Sequence, residues 1–234
     1  MKRVVIVTGA SSGVGRAVAL RLAASGWRVA LVGRDPARLE RTTADMAGTD
    51  DDRIVLPRDL GVLENVHLVV DETLRTWKRL DAIVNSAAVA ASSPIQATDP
   101  KLLSATFKPN TFAPALLVAR AWPVFRAQGG GCVVNISSLL GARPLSGMSI
   151  YSASKAALES LTRSIHEEGG ARGIRAFCIA MGAVETPMLR KLIGSEPAPS
   201  DTLTPEHVAE EVEHCIEHRR DLQAGTTIVL RQRH

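Results

Sequence analysis

The chain contains a single tyrosine, and it stands four residues before a lysine: Tyr151 and Lys155, in Ser149-Ile150-Tyr151-Ser152-Ala153-Ser154-Lys155-Ala156-Ala157. This alanine-rich run holds neither glycine nor proline, so it reads as helix, and residues four apart share a helix face. An ammonium held beside a phenol favours the phenolate and lowers a pKa that is about 10 in the free side chain. Such a pair brings a tyrosine toward the range in which it gives and takes protons at neutral pH. A tyrosine beside an unrelated surface lysine has the same spacing, so the elements around the pair must decide between the two readings.

The first of those elements lies at the amino end. Lys2 to Thr8 reads as a buried strand, and from Gly13 onward Val14, Val18 and Leu22 recur at helical spacing. Between them runs Thr8-Gly9-Ala10-Ser11-Ser12-Gly13-Val14-Gly15. Glycines let the backbone turn tightly and approach a pyrophosphate, while the following helix offers unpaired N–H groups and the positive end of its dipole. At the first strand-to-helix junction of a βαβ pattern, this loop predicts a dinucleotide site more strongly than an ordinary tight connection. The second strand, Arg28 to Gly33, leads into Gly33-Arg34-Asp35, about 20 residues past the loop, where such a site reads the adenosine ribose. Gly33 has no carboxylate to take a 2′-hydroxyl, and the Arg34 guanidinium suits a bidentate phosphate contact, so NADP is expected over NAD. Asp35, directly before Pro36, is expected to cap the next helix.

Further strands are predicted at Arg53 to Leu56, Asp81 to Asn85, Cys132 to Ser138, Ile174 to Ile179 and Thr226 to Leu230. The intervening helices include a stripe of Val62, Val66, Val69, Val70, Leu74 and Trp77, a proline-marked helix pair with Asn110 near the start of its second member, and a last helix from Pro205. The stretch 188–203, rich in proline and serine, reads as an irregular lid. Strict β/α alternation predicts an α/β, doubly wound, Rossmann-like fold: a seven-stranded parallel sheet flanked by helices in three αβα layers, one domain over residues 1–234.

Other chemistries find little support. Net charge +4 comes from 28 basic and 24 acidic residues without a basic run, and aromatics are only 3%, so no nucleic-acid partner is expected. No apolar run is long enough for a signal peptide or a membrane span, which points to a cytoplasmic protein with no membrane partner. Cys132, Cys178 and Cys215 lack paired spacing and are expected to be buried apolar residues. His214 and His218 stand four apart with Glu211 nearby, but Val208, Val212 and Ile216 form that helix's apolar stripe and turn both histidines to solvent; no metal is expected.

Taken together these motifs resemble the short-chain dehydrogenase/reductase family in its compact form, over nearly the whole chain. Thr8-Gly9 to Gly13-Val14-Gly15, with Ser11 and Ser12 inside it, matches the cofactor glycine motif, and Asp59-Leu60 matches the adenine-contact pair. Ser138, Tyr151 and Lys155 match the catalytic serine and the Tyr-x-x-x-Lys pair, Asn110 the helix asparagine, and Gly182, Val184 and Thr186 the stretch beside the nicotinamide. Three places depart: Asn85-Ser86-Ala87-Ala88 replaces Asn-Asn-Ala-Gly, Met181-Gly182 replaces Pro-Gly and is expected to loosen that turn, and the glycine-rich end becomes Leu230-Arg231-Gln232-Arg233-His234.

The resemblance implies an NADP-dependent oxidoreductase that moves hydride between nicotinamide and a carbonyl or secondary alcohol. Tyr151 would be general acid/base, Ser138 would stabilise the substrate oxygen, Lys155 would tune Tyr151 and hold the nicotinamide ribose, and Asn110 would position a water beside Lys155. Cofactor contacts are also expected from Asn85 and Ala87, and substrate contacts from Ser138, Leu140, Tyr151 and Met188, within a mainly apolar pocket bounded by the loop after Ser138 and the lid. A homo-oligomer, tetramer or dimer, is implied through helices near 111–128 and 151–169, the first carrying Phe112, Leu116 and Leu117. A 3-oxoacyl-thioester reductase and a non-catalytic NADP-sensing scaffold are the alternatives; Ser86, Ala88 and Met181 are the support for the last.

Overall fold

The computed structural model describes residues 2–231. Seven strands alternate with helices: β1 Val4–Thr8, α1 Gly13–Ala24, β2 Arg28–Gly33, α2 Pro36–Ala44, β3 Arg53–Pro57, α3 Glu64–Trp77 and β4 Ala82–Asn85 form the first half. The second half comprises α4 Pro100–Phe107, α5 Ala113–Gln128, β5 Gly131–Ser138, α6 Ser149–Gly169, β6 Ile174–Met181, α7 Pro187–Ile193, α8 Pro205–Ile216 and β7 Thr227–Leu230. The strands pair in parallel in the order β3-β2-β1-β4-β5-β6-β7. The expected Rossmann-like architecture is what the chain adopts.

Alternation along each strand divides the core. Val5, Val7, Leu31, Val84 and Val134 face one way, against α1 and α8, while Val4, Ile6, Val32, Ile83 and Val133 face the other, against α3 and α5. Because side chains alternate with period two, helices must cover both faces, and continuous burial of β1 and β4 follows. Beyond β1 the chain crosses to opposite sides of the sheet, through β2 and β3 one way and β4 and β5 the other. The strand order therefore reverses between β1 and β4, and a crevice opens at their carboxyl ends.

Buried polar groups tie the central strands to α6. The Asn85 side-chain amide donates to Asn135 Oδ1 at 2.8 Å, and the Asn135 amide donates to Thr162 Oγ1 at 2.8 Å. Unpaired, such groups would be costly in the interior; paired, they fix one register of helix on strand. That register sets where Tyr151 and Lys155 stand relative to β5.

Local details differ from expectation for identifiable reasons. Val62 lies before α3 and is exposed, and the helix stripe is completed by buried Thr73, whose hydroxyl donates to the Val69 carbonyl at 2.7 Å. β6 runs two residues past Ile179, since Met181 has the N–H that a proline would lack, and pairs with both Ser138 and Leu230. The turn after it is not loosened: Gly182 N–H donates to the Leu230 carbonyl, Leu203 N–H to Ala183, and Glu185 N–H back to Leu203. Residues 188–203 are not irregular throughout. Thr186 accepts from Leu189 N–H at 3.2 Å and Pro187 pre-sets the first turn, so α7 forms and only the segment after Gly194 is irregular. Asp35 caps α2 by accepting from Arg38 N–H at 3.1 Å.

Candidate active site

A cavity of about 590 Å³ occupies the crevice between the β1 and β4 ends. Gly9, Ser11, Ser12, Gly13, Val14 and Gly15 form one wall, and Gly33, Arg34, Asp59 and Leu60 close the far end. Tyr151, Lys155, Thr186 and Met188 stand at the other end, and Ala87 and Ala88 line the side opposite the glycines. Gly9 has φ +71° and Gly13 φ +52°, conformations that side chains resist. A Cβ at Gly9 would lie 3.0 Å from the Ala87 backbone, and one at Gly15 would collide with the Gly9 carbonyl. The groove is thus kept open by absent side chains and backed by the amino end of α1, an arrangement that fits the diphosphate of a dinucleotide.

Some expected residues stand behind the cavity instead of in its wall. The Thr8 hydroxyl accepts from Ser86 and Ala87 N–H, both at 3.0 Å, and so holds the loop after β4 against β1. Asn85 is turned to Asn135, and Val184 is packed in the core, bridged to Leu203. Gly182, Ser138, Leu140 and Asn110 are likewise absent from the lining among the described residues. Leu139, Leu140 and Leu145 do not bound the cavity; Leu102, Ala105 and the Ala88 to Ala91 segment supply its apolar surface, and Leu145 is exposed. Of the charges expected near the pocket mouth, Arg143, Arg190 and Lys191, only Lys191 lines the cleft, and sequence reasoning missed Arg58, which lines it too. Arg58 directly precedes Asp59, and its N–H bonds the Gly33 carbonyl at 2.9 Å, a pairing that follows from the β2–β3 register alone.

At the catalytic end, α6 presents buried Tyr151 and Lys155 on one face, with the Lys155 Nζ 5.8 Å from the Tyr151 ring centre. The ammonium donates to the Ile136 carbonyl at 2.8 Å. Burial drives its pKa down to about 8, with Cys178 and Glu159 acting the other way. Burial raises the Tyr151 phenol above its usual value, opposed by the nearby Ser138 hydroxyl. The expected lowering of Tyr151 by Lys155 is therefore reversed in direction, because desolvation of the phenol outweighs an ammonium committed to β5. Ser138 caps the turn Leu139–Gly141 through Leu140 N–H at 3.2 Å, which fixes its hydroxyl beside Tyr151.

Asn110 is fully buried, but its side chain does not face Lys155. Its Oδ1 accepts from Val89 N–H at 2.8 Å, and its amide donates to the Val89 carbonyl and to Ser154 Oγ, both at 3.0 Å. It lies in a π-helical turn, Lys108–Phe112, between α4 and α5, where Ala113 N–H reaches the Lys108 carbonyl. Pro114 has no N–H with which to close the α-helical bond to the Asn110 carbonyl, so the turn widens there. The side chain clamps the segment after β4 to α6, and any contact to water must come from the main chain.

His214 and His218 do not share a face as expected. The helix α8 ends at Ile216, and His218, with φ +65°, bonds Asp221 at 2.9 Å while His214 sits 3.6 Å from Glu211. Cys132, Cys178 and Cys215 are buried and unpaired by disulfides.

A doubly wound sheet, a glycine-walled crevice at its switch point and a buried tyrosine–lysine pair define a nicotinamide-dinucleotide oxidoreductase. The family model described as short chain dehydrogenase matches residues 3–196, and the chain belongs to that family. It is 33% identical over 189 residues to an oxidoreductase of Staphylococcus saprophyticus, covering 80% of each chain. It is 34% identical to the levodione reductase of Leifsonia aquatica over 80% of this chain and 71% of that one. A crystal structure of levodione reductase superposes with a TM-score of 0.88 at 28% identity, covering 97% of this chain and 95% of the other. The protein is thus a short-chain dehydrogenase/reductase enzyme that uses a nicotinamide cofactor.

Replacing Asn110 with alanine strands both Val89 backbone groups and Ser154. Asn110→Ala is expected to lower folding stability by about 2–4 kcal/mol, read as a shifted urea midpoint without cofactor. A wild-type midpoint would refute the clamp.

Proposed function

We propose that the protein is an NADP-dependent reductase of carbonyl compounds in which Tyr151 donates the proton. The observation that carries this reading is one cleft holding Arg34 at its adenosine end and the Tyr151–Lys155 pair at its other end. A reduced nicotinamide supplies the hydride when bound. The chain's own residues do the rest: Tyr151 gives its proton to the carbonyl oxygen, and Ser138, held beside it, donates a hydrogen bond to the charge developing there. Lys155, at the cavity wall, contributes a positive charge below about pH 8. The raised Tyr151 supports the protonated form of the phenol. The similarity to a levodione reductase supports a ketone as substrate class.

The exposed Arg34 carries the cofactor preference, since no ion pair occupies it among the described residues and a 2′-phosphate would match its fork. Lys191 on α7 lines the lid side, whereas Arg190 beside it is bound to Glu185 through both carboxylate oxygens, at 2.8 and 2.6 Å. An anionic tail on the substrate would meet Lys191, not Arg190. The proposed location is the cytoplasm; no helix among the described residues is long and apolar enough to cross a membrane.

A homo-oligomer is part of the proposal. Leu117, one of the residues expected to face a partner, is buried in this chain's own core, but Phe112 and Leu116 are exposed. Between α5 and α6 lies a groove of about 380 Å³ lined by Val118, Trp122, Pro123, Leu161 and Ile165. These apolar helix surfaces support pairing of α5 and α6 between copies.

Tyr151→Phe is expected to fold and bind cofactor while carbonyl reduction falls by about 10²–10⁴-fold; wild-type turnover would sink the proton-donor assignment. Arg34→Ala is expected to weaken NADPH binding by about 10–100-fold in fluorescence titration and leave NADH nearly unchanged. Equal loss for both would make Arg34 structural. Light scattering at micromolar concentration is expected to give a dimer or tetramer, and a monomer would exclude the pairing.

A further inference from the structure

Glu159 is a charged group next to Lys155 to which the catalytic reading gives no task. It lies four residues beyond Lys155, on the same face of α6, and its Oε1 accepts from the Ser137 hydroxyl at 2.8 Å. Ser137 is fully buried between Ile136, whose carbonyl takes the Lys155 ammonium, and Ser138. Residue 141 is glycine, and a Cβ there would come within 2.7 Å of the same Glu159 oxygen, so the turn Leu139–Gly141 closes directly on the carboxyl group. One side chain thus reaches the strand and turn that present Ser138 and belongs to the helix that presents Tyr151 and Lys155.

We infer that Glu159 is a positioning residue with two separable tasks: its oxygen clamps Ser137, and with it the Ser138 turn, onto α6, while its negative charge holds Lys155 in the ammonium form. The inference rests on the reading of Tyr151 and Lys155 as the working pair. Three ionisable groups face Lys155. Cys178, on β6, is pushed up to about 12 by burial, so its thiol is uncharged where Lys155 titrates. Tyr151, on the same helix, is a phenol raised by its own burial. Glu159 is then the anion that opposes the desolvation of Lys155. From β5 the contact is the neutral Ile136 carbonyl.

The sign follows. Lys155 is charged below about 8 and neutral above it. Removing the neighbouring negative charge lowers that value further, so the ammonium is lost at a lower pH.

Two variants separate the tasks. Glu159→Gln keeps a side-chain oxygen for Ser137 but removes the charge; Ser137→Ala removes the clamp and leaves both ionisable groups. The charge is read by ¹⁵N NMR titration of the Lys155 Nζ signal, assigned from its loss in Lys155→Met, and needs no substrate. In Glu159→Gln the midpoint is expected about one pH unit below wild type. A wild-type midpoint overturns the charge task, whatever the folding stability of the variant. In Ser137→Ala the midpoint is expected to stay within a few tenths of a unit of wild type, while hydrogen exchange at the Leu140 amide, which the Ser138 hydroxyl caps, accelerates about tenfold or more. Unchanged exchange overturns the clamp. Turnover of levodione with NADPH is followed in parallel: a wild-type enzyme without carbonyl reductase activity defeats the catalytic reading, and the two NMR readouts still decide the role of Glu159.

Discussion

An ammonium in a protein interior is tolerated only where protein groups replace its water, and that requirement organises this site. Lys155 meets it with the Ile136 carbonyl at 2.8 Å. Ile136 stands one residue past Asn135, which pairs with the last residue of β4. The lysine therefore docks where β5 outruns its neighbour, and that position ties α6 to the end of the sheet where the crevice opens. The Asn85–Asn135–Thr162 chain sets the register of the same helix through the side chain of the preceding strand residue. Tyr151 inherits its place from both.

The crevice depends on a second constraint, the closeness of the β1 and β4 ends. Thr8 draws the backbone of Ser86 and Ala87 onto its hydroxyl, and Gly9 has no Cβ to oppose them. The departure of Ser86 and Ala88 from the family pattern is accommodated here. Closest approach is made at Ala87, the position that retains the family residue, and Ala88 adds a methyl to the cavity wall. The exchanged residues leave the loop anchored, which weakens the case for a scaffold without catalysis.

What could be read from the sequence was what repeats or what obeys a local rule. Strand and helix periodicity gave seven strands nearly at their observed limits, and Asp35 before Pro36 announced its cap. The π turn at Asn110 was hidden because it arises from two absences, the missing N–H of Pro114 and the redirected N–H of Ala113, in a stretch with good helical periodicity. α7 was hidden by the composition of the residues after it, although Thr186-Pro187 is a capping pair of the same kind as Asp35-Pro36. Arg58 and Glu159 were silent for another reason. Gly33 reaches Arg58 through the β2–β3 register, and Ser137 reaches Glu159 because α6 packs on β5, so neither neighbour is close in sequence.

The direction of the pKa shifts also could not be read from spacing. Four residues of helix place an ammonium near a phenol, and in water the ammonium alone would lower the phenol. Burial acts on both groups in the sense that disfavours charge: it raises Tyr151 and lowers Lys155 to about 8. On raising the pH, the lysine is then the first of the pair to lose its proton, and the tyrosine keeps its own. A site ordered this way keeps the phenol protonated throughout the neutral range but makes it a weaker acid, and bringing it toward neutral pH would need additional positive charge or hydrogen bonding at its oxygen. Burial therefore decides the protonation states of the resting pair, a neutral phenol beside an ammonium that is lost above about pH 8, and residue spacing alone carries no information about it.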